Sequence, residues 1–141
     1  PPESLPQTPV AAAALVVSYY WPAGGSIHVI DENKALVLRR SGGWEVIREN
    51  DCVYRVEGRR GTQRSSRLSI DFSKLVSYQT QGRKKMRLLG DSGLWCSYFN
   101  GYKQGTCFDA VPLQVRRVAD ISRILRAIQF IQGFCSSQGP F

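Results

Sequence analysis

Residues 118–135 read VADISRILRAIQFIQGFC, and this stretch decides the fold class. Val118, Ile121, Leu125, Ile128, Ile131 or Gln132, and Cys135 recur at helical spacing, whereas Arg116, Arg117, Asp120, Ser122, Arg123, Arg126 and Gln129 fall mostly on the other side. The pattern predicts one amphipathic helix whose apolar stripe covers a sheet face or the mouth of a barrel. Pro112 fits near its start and Gly133 near its end. Phe130 and Phe134 lie one turn apart and off the main stripe. Either the sheet wraps them or they belong to a partner surface.

Working back from this helix, the chain is a series of strand signals between turn signals. Ala14 to Tyr20 reads as a strand ending at Trp21-Pro22-Ala23-Gly24-Gly25. Ser26 to Ile30 and Ala35 to Arg40 flank a hairpin turn at Asp31-Glu32-Asn33-Lys34. Ser41-Gly42-Gly43 leads into Trp44 to Arg48. Cys52, Tyr54 and Val56 alternate with Val53, Arg55 and Glu57, and Leu68, Ile70 and Phe72 with Ser69 and Asp71. Leu75 to Thr80 and Lys85 to Leu89 flank Gln81-Gly82, and Leu94 to Phe99 and Tyr102 to Phe108 flank Asn100-Gly101. Period-two alternation between turn residues marks half-buried antiparallel strands. The expected fold is α+β and mainly antiparallel: a strongly bent sheet or roll-like barrel packed by one C-terminal amphipathic helix. Residues 1–10 read as a flexible Pro-rich tail or linker end, 11–135 as a single domain and 136–141 as a tail.

The segment Leu68-Ser-Ile-Asp-Phe-Ser-Lys-Leu-Val-Ser-Tyr78, followed by Lys85 to Leu89, the Asn100-Gly101 hairpin and the helix, resembles the strand, corner and terminal helix of bacterial PH-like and GRAM-like domains. The resemblance spans roughly residues 44–135. It implies a bent barrel plugged by a helix, and a domain that binds lipids or proteins. Disulfides would set this chain apart from the cytosolic members and argue against phosphoinositide binding.

The 141 residues include 19 Lys plus Arg against 11 Asp plus Glu, a formal net charge of +8. Such an excess favours anionic partners or serves solubility alone. No apolar run approaches the roughly 18 residues that span a bilayer. The eight apolar residues Val10 to Val17 lack a preceding basic region, so they do not form a complete signal peptide. The chain starts at Pro1 rather than Met, which leaves room for a removed leader, an anchor or a longer N-terminal region.

Four cysteines, Cys52, Cys96, Cys107 and Cys135, include no Cys-x-x-Cys pair, and His28 is the sole histidine. Two disulfides are the leading reading, ahead of four core thiols or a zinc site. A type II′ turn at Gly101-Tyr102 would set Cys96 directly opposite Cys107, and a type I′ turn at Asn100-Gly101 would set them diagonally. By elimination Cys135 would then bond Cys52 and staple the helix to the sheet. Two bridges imply an oxidising compartment, secreted or periplasmic.

Enzyme signatures are mostly absent: no Gly-x-Ser-x-Gly, no P-loop and no dinucleotide fingerprint occurs. Gly90-Asp-Ser-Gly93 is similar to the short sequence around the nucleophile of chymotrypsin-like proteases, but a triad would require His28, Ser92 and an acid such as Asp109 to converge. A Gly-rich turn is the simpler reading. Asp31, Glu32, Glu49 and Asp51 read as turn formers. The basic segments are more informative. Gly58 to Arg67 holds Arg59, Arg60, Arg64 and Arg67 in a loop, and Arg83, Lys84, Lys85 and Arg87 lie around the next hairpin. Arginine forks suit phosphate, sulfate and carboxylate, and Tyr98 or Tyr102 could stack on a base or sugar. If residues 68–80 form one continuous bent strand, the two basic segments lie at its opposite ends; if the chain folds back near Ser73, they share an end.

The sequence therefore predicts a non-enzymatic binding or assembly domain of a secreted or periplasmic protein, without a cofactor or metal. It would engage a protein or an anionic surface, a lipid headgroup or polyanion, through its basic loops. The alternatives are a PH-like lipid or membrane-surface module and a nucleic-acid-binding domain.

Overall fold

The computed structural model describes residues 8–20, 26–31, 35–39, 44–60, 63–99 and 103–135, with side chains at 8–20, 45–57, 68–97 and 105–135. It begins with a helix, α1 (Pro9–Ser18), where the sequence pattern predicted a strand over Ala14 to Tyr20. Two local signals start it. The Thr8 hydroxyl accepts a hydrogen bond from the Ala11 amide at 3.1 Å, and Pro9 takes the first helical turn, where its missing N–H costs nothing. Four alanines and a leucine then favour the helix. An all-apolar run has no polar alternation to reveal its period, so nothing in the pattern separates helix from strand there. Residues 12–17 are all buried. A helix that is apolar on every side belongs in an interior.

Ten antiparallel strands form two sheets. β1 (Ser26–Asp31), β2 (Ala35–Arg39), β3 (Trp44–Arg48), β4 (Val53–Arg60) and β5 (Gln63–Asp71) form a meander that continues into β8 (Trp95–Phe99) and β9 (Lys103–Phe108). The second sheet has the order β10 (Ala110–Gln114), β7 (Lys85–Gly90), β6 (Leu75–Gln81). Among the described residues β1 and β9 do not pair, so the sheet is not closed into a barrel. The fold is α+β, with the C-terminal helix α2 (Val118–Phe134) packed on the rest.

The chain first changes sheet at a 3-10 turn, Phe72–Lys74, returns to the larger sheet between β7 and β8, and leaves it again between β9 and β10. Asp71 sets the turn: its Oδ1 accepts from the Ser73 amide at 3.0 Å and the Ser73 hydroxyl at 2.6 Å. Phe72 is buried, and its amide donates to the Cys52 carbonyl at 2.8 Å. Residues 68–80 are thus neither a continuous strand nor a simple reversal within one sheet. β10 has no counterpart in the sequence-based expectation. Pro112, read as the start of the helix, lies in this strand opposite Arg87, on the edge of the smaller sheet, where a missing N–H is tolerated.

α1 packs against β1, β2 and β3 and against α2. The buried residues of α2 are Asp120, Ile124, Ala127, Ile128 and Ile131. This stripe is rotated from the expected one: Val118 is 65% exposed, whereas Asp120, placed on the polar side by its charge, is buried. Asp120 is the N3 residue of the helix, and its carboxylate accepts from the amides of Arg116 at 3.0 Å and Arg117 at 3.1 Å and from the Tyr19 hydroxyl at 3.0 Å. Burial alone would raise its pKa, but these bonds and the Arg117 guanidinium outweigh it and hold the carboxyl below its ordinary value. Phe130 is partly buried against the core, while Phe134 is half-exposed and meets the Phe130 ring edge-on at 5.1 Å.

Two disulfides close the structure, Cys52–Cys135 and Cys96–Cys107, with Cα separations of 4.8 and 4.1 Å. The first fastens the end of α2 beside the start of β4. Cys96 lies directly opposite Cys107, yet neither expected two-residue turn accounts for it. Phe99 pairs with Lys103, leaving three residues between the strands, and a bulge that sets Gly105 and Thr106 against Ser97 restores the register.

Candidate anion-binding surface

The β6–β7 hairpin carries one of the two basic sets. Gln81 pairs with Lys85, and Gly82 takes the left-handed conformation at φ 63° that opens the turn. Arg83 and Lys84 occupy the turn, and Lys85 and Arg87 follow in β7. Alternation fixes their direction: Met86 and Leu88 are buried, so Lys85 and Arg87 must point outward, and all four cations are exposed. Their cross-strand neighbours are neutral. Lys85 lies between Gln81 and Gln114, and Arg87 between Gln79 and Pro112. Among the described residues none of the four cations forms an ion pair.

A fifth cation joins this set. The Val115 amide donates to the Lys84 carbonyl at 2.9 Å, which brings exposed Arg116 beside the hairpin tip. The sequence pattern assigns Arg116 to the polar side of the helix and gives no hint of this neighbour, because only the β10–β7 pairing brings the two segments together. Arg117 is less available: its guanidinium lies 3.5 Å from the Asp120 carboxylate.

The other basic set belongs to the larger sheet. Arg59, Arg60, Arg64 and Arg67 are not in a free loop, because β4 and β5 extend into that segment and pair through it. Arg59 stands opposite Arg64, Arg60 opposite Gln63 and Glu57 opposite Arg67. The side chains of these arginines lie outside the described residues, as do residues 61 and 62. The two basic sets therefore fall on hairpins of different sheets. Tyr98 is in β8, its side chain outside the described residues, and Tyr102 lies outside them altogether.

Two of the carboxylates singled out in the sequence, Glu49 and Asp51, have ion-pair partners. Asp51 pairs with Arg48, and Glu49 lies 3.3 Å from Arg55 Nε. Buried Glu57 lies 3.3 Å from the same nitrogen. Asp31 ends β1, and Glu32 lies outside the described residues. In Gly90-Asp-Ser-Gly93, Ser92 is an exposed turn residue and Gly93 has φ 101°. Gly90 has a packing role: a Cβ there would run into the Lys74 carbonyl. His28 lies in β1, its side chain outside the described residues.

Comparison with family models, curated proteins and solved structures finds no match. Two disulfides suggest an oxidising, extracytoplasmic environment. No helix among the described residues is long and apolar enough to cross a membrane.

Proposed function

We propose that the chain is a non-enzymatic binding or assembly domain that works in the secreted or periplasmic space and engages an anionic partner, protein or surface, through its basic hairpins. One observation carries this reading: Arg83, Lys84, Lys85, Arg87 and Arg116 lie exposed around one hairpin tip with neutral cross-strand neighbours. Solvated basic residues placed for solubility are usually interspersed with acids. A concentrated, unpaired set favours anionic ligands through long-range attraction and offers arginine forks for carboxylate, sulfate or phosphate.

The test is binding of sodium polyglutamate, and separately of anionic phospholipid vesicles, by the folded, oxidised chain at low salt. The combined variant Arg83→Ala, Lys84→Ala, Lys85→Ala and Arg87→Ala should lose binding while its thermal midpoint stays put, because these side chains are exposed and form no ion pair among the described residues. A matching variant at Arg59, Arg60, Arg64 and Arg67 reports on the second hairpin. If both variants bind as the parent does, the basic hairpins have no part in the function. Vesicle binding without polyglutamate binding would favour the lipid-surface alternative.

A further inference from the structure

The smaller sheet has two edges, and they are built differently. β10 is blunted: Pro112 offers no N–H, and the Gln114 amide is already donated to the Tyr19 carbonyl at 2.8 Å. Among the described residues β6 has no such protection. Every residue from Val76 to Gln81 is exposed, and none is charged, Pro or Gly. Its bulge is confined to the start, at Val76, so Ser77 to Gln81 keep a regular ladder with β7. Among the described residues no strand pairs with the outer side of β6. Tyr78 and Thr80 lie opposite buried Leu88 and Met86, yet remain exposed, as does Val76 at 45%. The apolar side of the sheet thus continues past its last covered strand. The composition, with Val, Tyr and Thr, suits a strand.

We infer that β6 is a docking edge that accepts an extended acidic peptide segment of a partner protein as a fourth strand of the smaller sheet. The inference rests on the anion-binding reading of the same hairpin and deepens it. Main-chain bonds along Ser77 to Gln81 would supply affinity, and side chains beside Val76 and Tyr78 would supply selectivity. Charge selects the occupant. The tip that such a strand passes holds Arg83 and Lys84, with Lys85 and Arg87 on the adjoining β7, so carboxylates at that end of the segment are attracted. A second copy of this chain brings another net charge of +8 and is repelled.

The probe is a capped peptide of alternating valine and threonine with glutamates at one end, titrated into the oxidised protein and followed by amide NMR and hydrogen exchange. The expected result is shifted, exchange-protected amides over Ser77 to Gln81. Methylating alternate backbone nitrogens of the peptide, which keeps its charge and side chains, should weaken binding by at least about tenfold, as loss of ladder bonds requires. Equal binding of both peptides, with shifts confined to residues 83–87, overturns the strand edge and leaves the anion-binding reading standing. Binding of polyglutamate without any response to the peptide overturns it as well. Failure of polyglutamate removes the underlying reading instead, and a concentration-dependent dimer with protected β6 amides overturns the choice of occupant.

Discussion

Tyr54 is fully buried in β4 with its ring edge-on to Phe72 at 5.7 Å, and its hydroxyl has no hydrogen-bond partner among the described residues. Burial pushes its pKa up to about 12, with a smaller lowering by the Arg48 charge and a smaller rise from Asp51. An orphaned hydroxyl contributes nothing that phenylalanine lacks, so Tyr54→Phe should leave stability unchanged or raise it by up to about 1 kcal/mol. A loss larger than that in denaturant titration would show that the hydroxyl is bonded. Because the folded pKa lies above the ordinary phenol value, the folded state loses stability as pH rises from about 10 through about 12. Absorbance titration at alkaline pH should show a late phenol transition that disappears in Tyr54→Phe. Asp120 works in the opposite sense. Its folded pKa is lowered, so its stabilisation is present above the ordinary carboxyl pKa and is lost as pH falls through the folded value. Asp120→Asn gives up charge-assisted bonds at the start of α2 and with Tyr19, and should cost about 1–2 kcal/mol at neutral pH. The gap between variant and parent should close on acidification; a gap that stays constant would show that the charge is irrelevant.

The elements that alternate cleanly are legible in the sequence: most strand signals from Ser26 to Phe108 and the helix after residue 117 fall in strands and a helix, although β4 and β5 run on into Gly58 to Arg67, which reads as a loop, and Phe72 belongs to the 3-10 turn. Two elements are not. α1 lacks polar residues to mark its period, and its start signal Thr8-Pro9 merges with a Pro-rich stretch that reads as tail and linker. β10 is hidden because Pro112 is compatible both with a helix start and with an edge strand, and only knowledge of which strand lies at an edge decides between them. The same gap conceals Arg116, so the hairpin cations are legible and their fifth member is not. Element junctions are likewise invisible. Gly90 looks like part of a short catalytic sequence, yet its purpose is the close approach of β7 to the Lys74 carbonyl at the sheet change. Gly90→Ala must displace that backbone and should cost about 1–3 kcal/mol, while the alanine variant of exposed Ser92 in the same turn should lie within about 0.5 kcal/mol of the parent. Equal effects in thermal melts would remove the junction from the account.

Across the whole molecule the two disulfides constrain the unfolded chain very differently. Cys52 and Cys135 are 83 residues apart and Cys96 and Cys107 are 11 apart. Loop-closure entropy assigns about 4–5 kcal/mol to the first bridge and about 3 kcal/mol to the second. Removing the Cys52–Cys135 pair by double alanine substitution should therefore lower the denaturation midpoint more than removing Cys96–Cys107; the reverse order would mean that local constraint of the β8–β9 hairpin dominates. The enclosure of α1 has a consequence in time. Its apolar surface is covered by strands that follow it and by α2, about 100 residues later, and the bond from Tyr19 to Asp120 spans 101 residues. A helix that is made before its cover stays exposed until α2 has been synthesised. Such distant closure slows folding into the millisecond-to-second range typical of non-local topologies. During that interval α1 is the segment a chaperone would hold and the first to aggregate if α2 fails to dock.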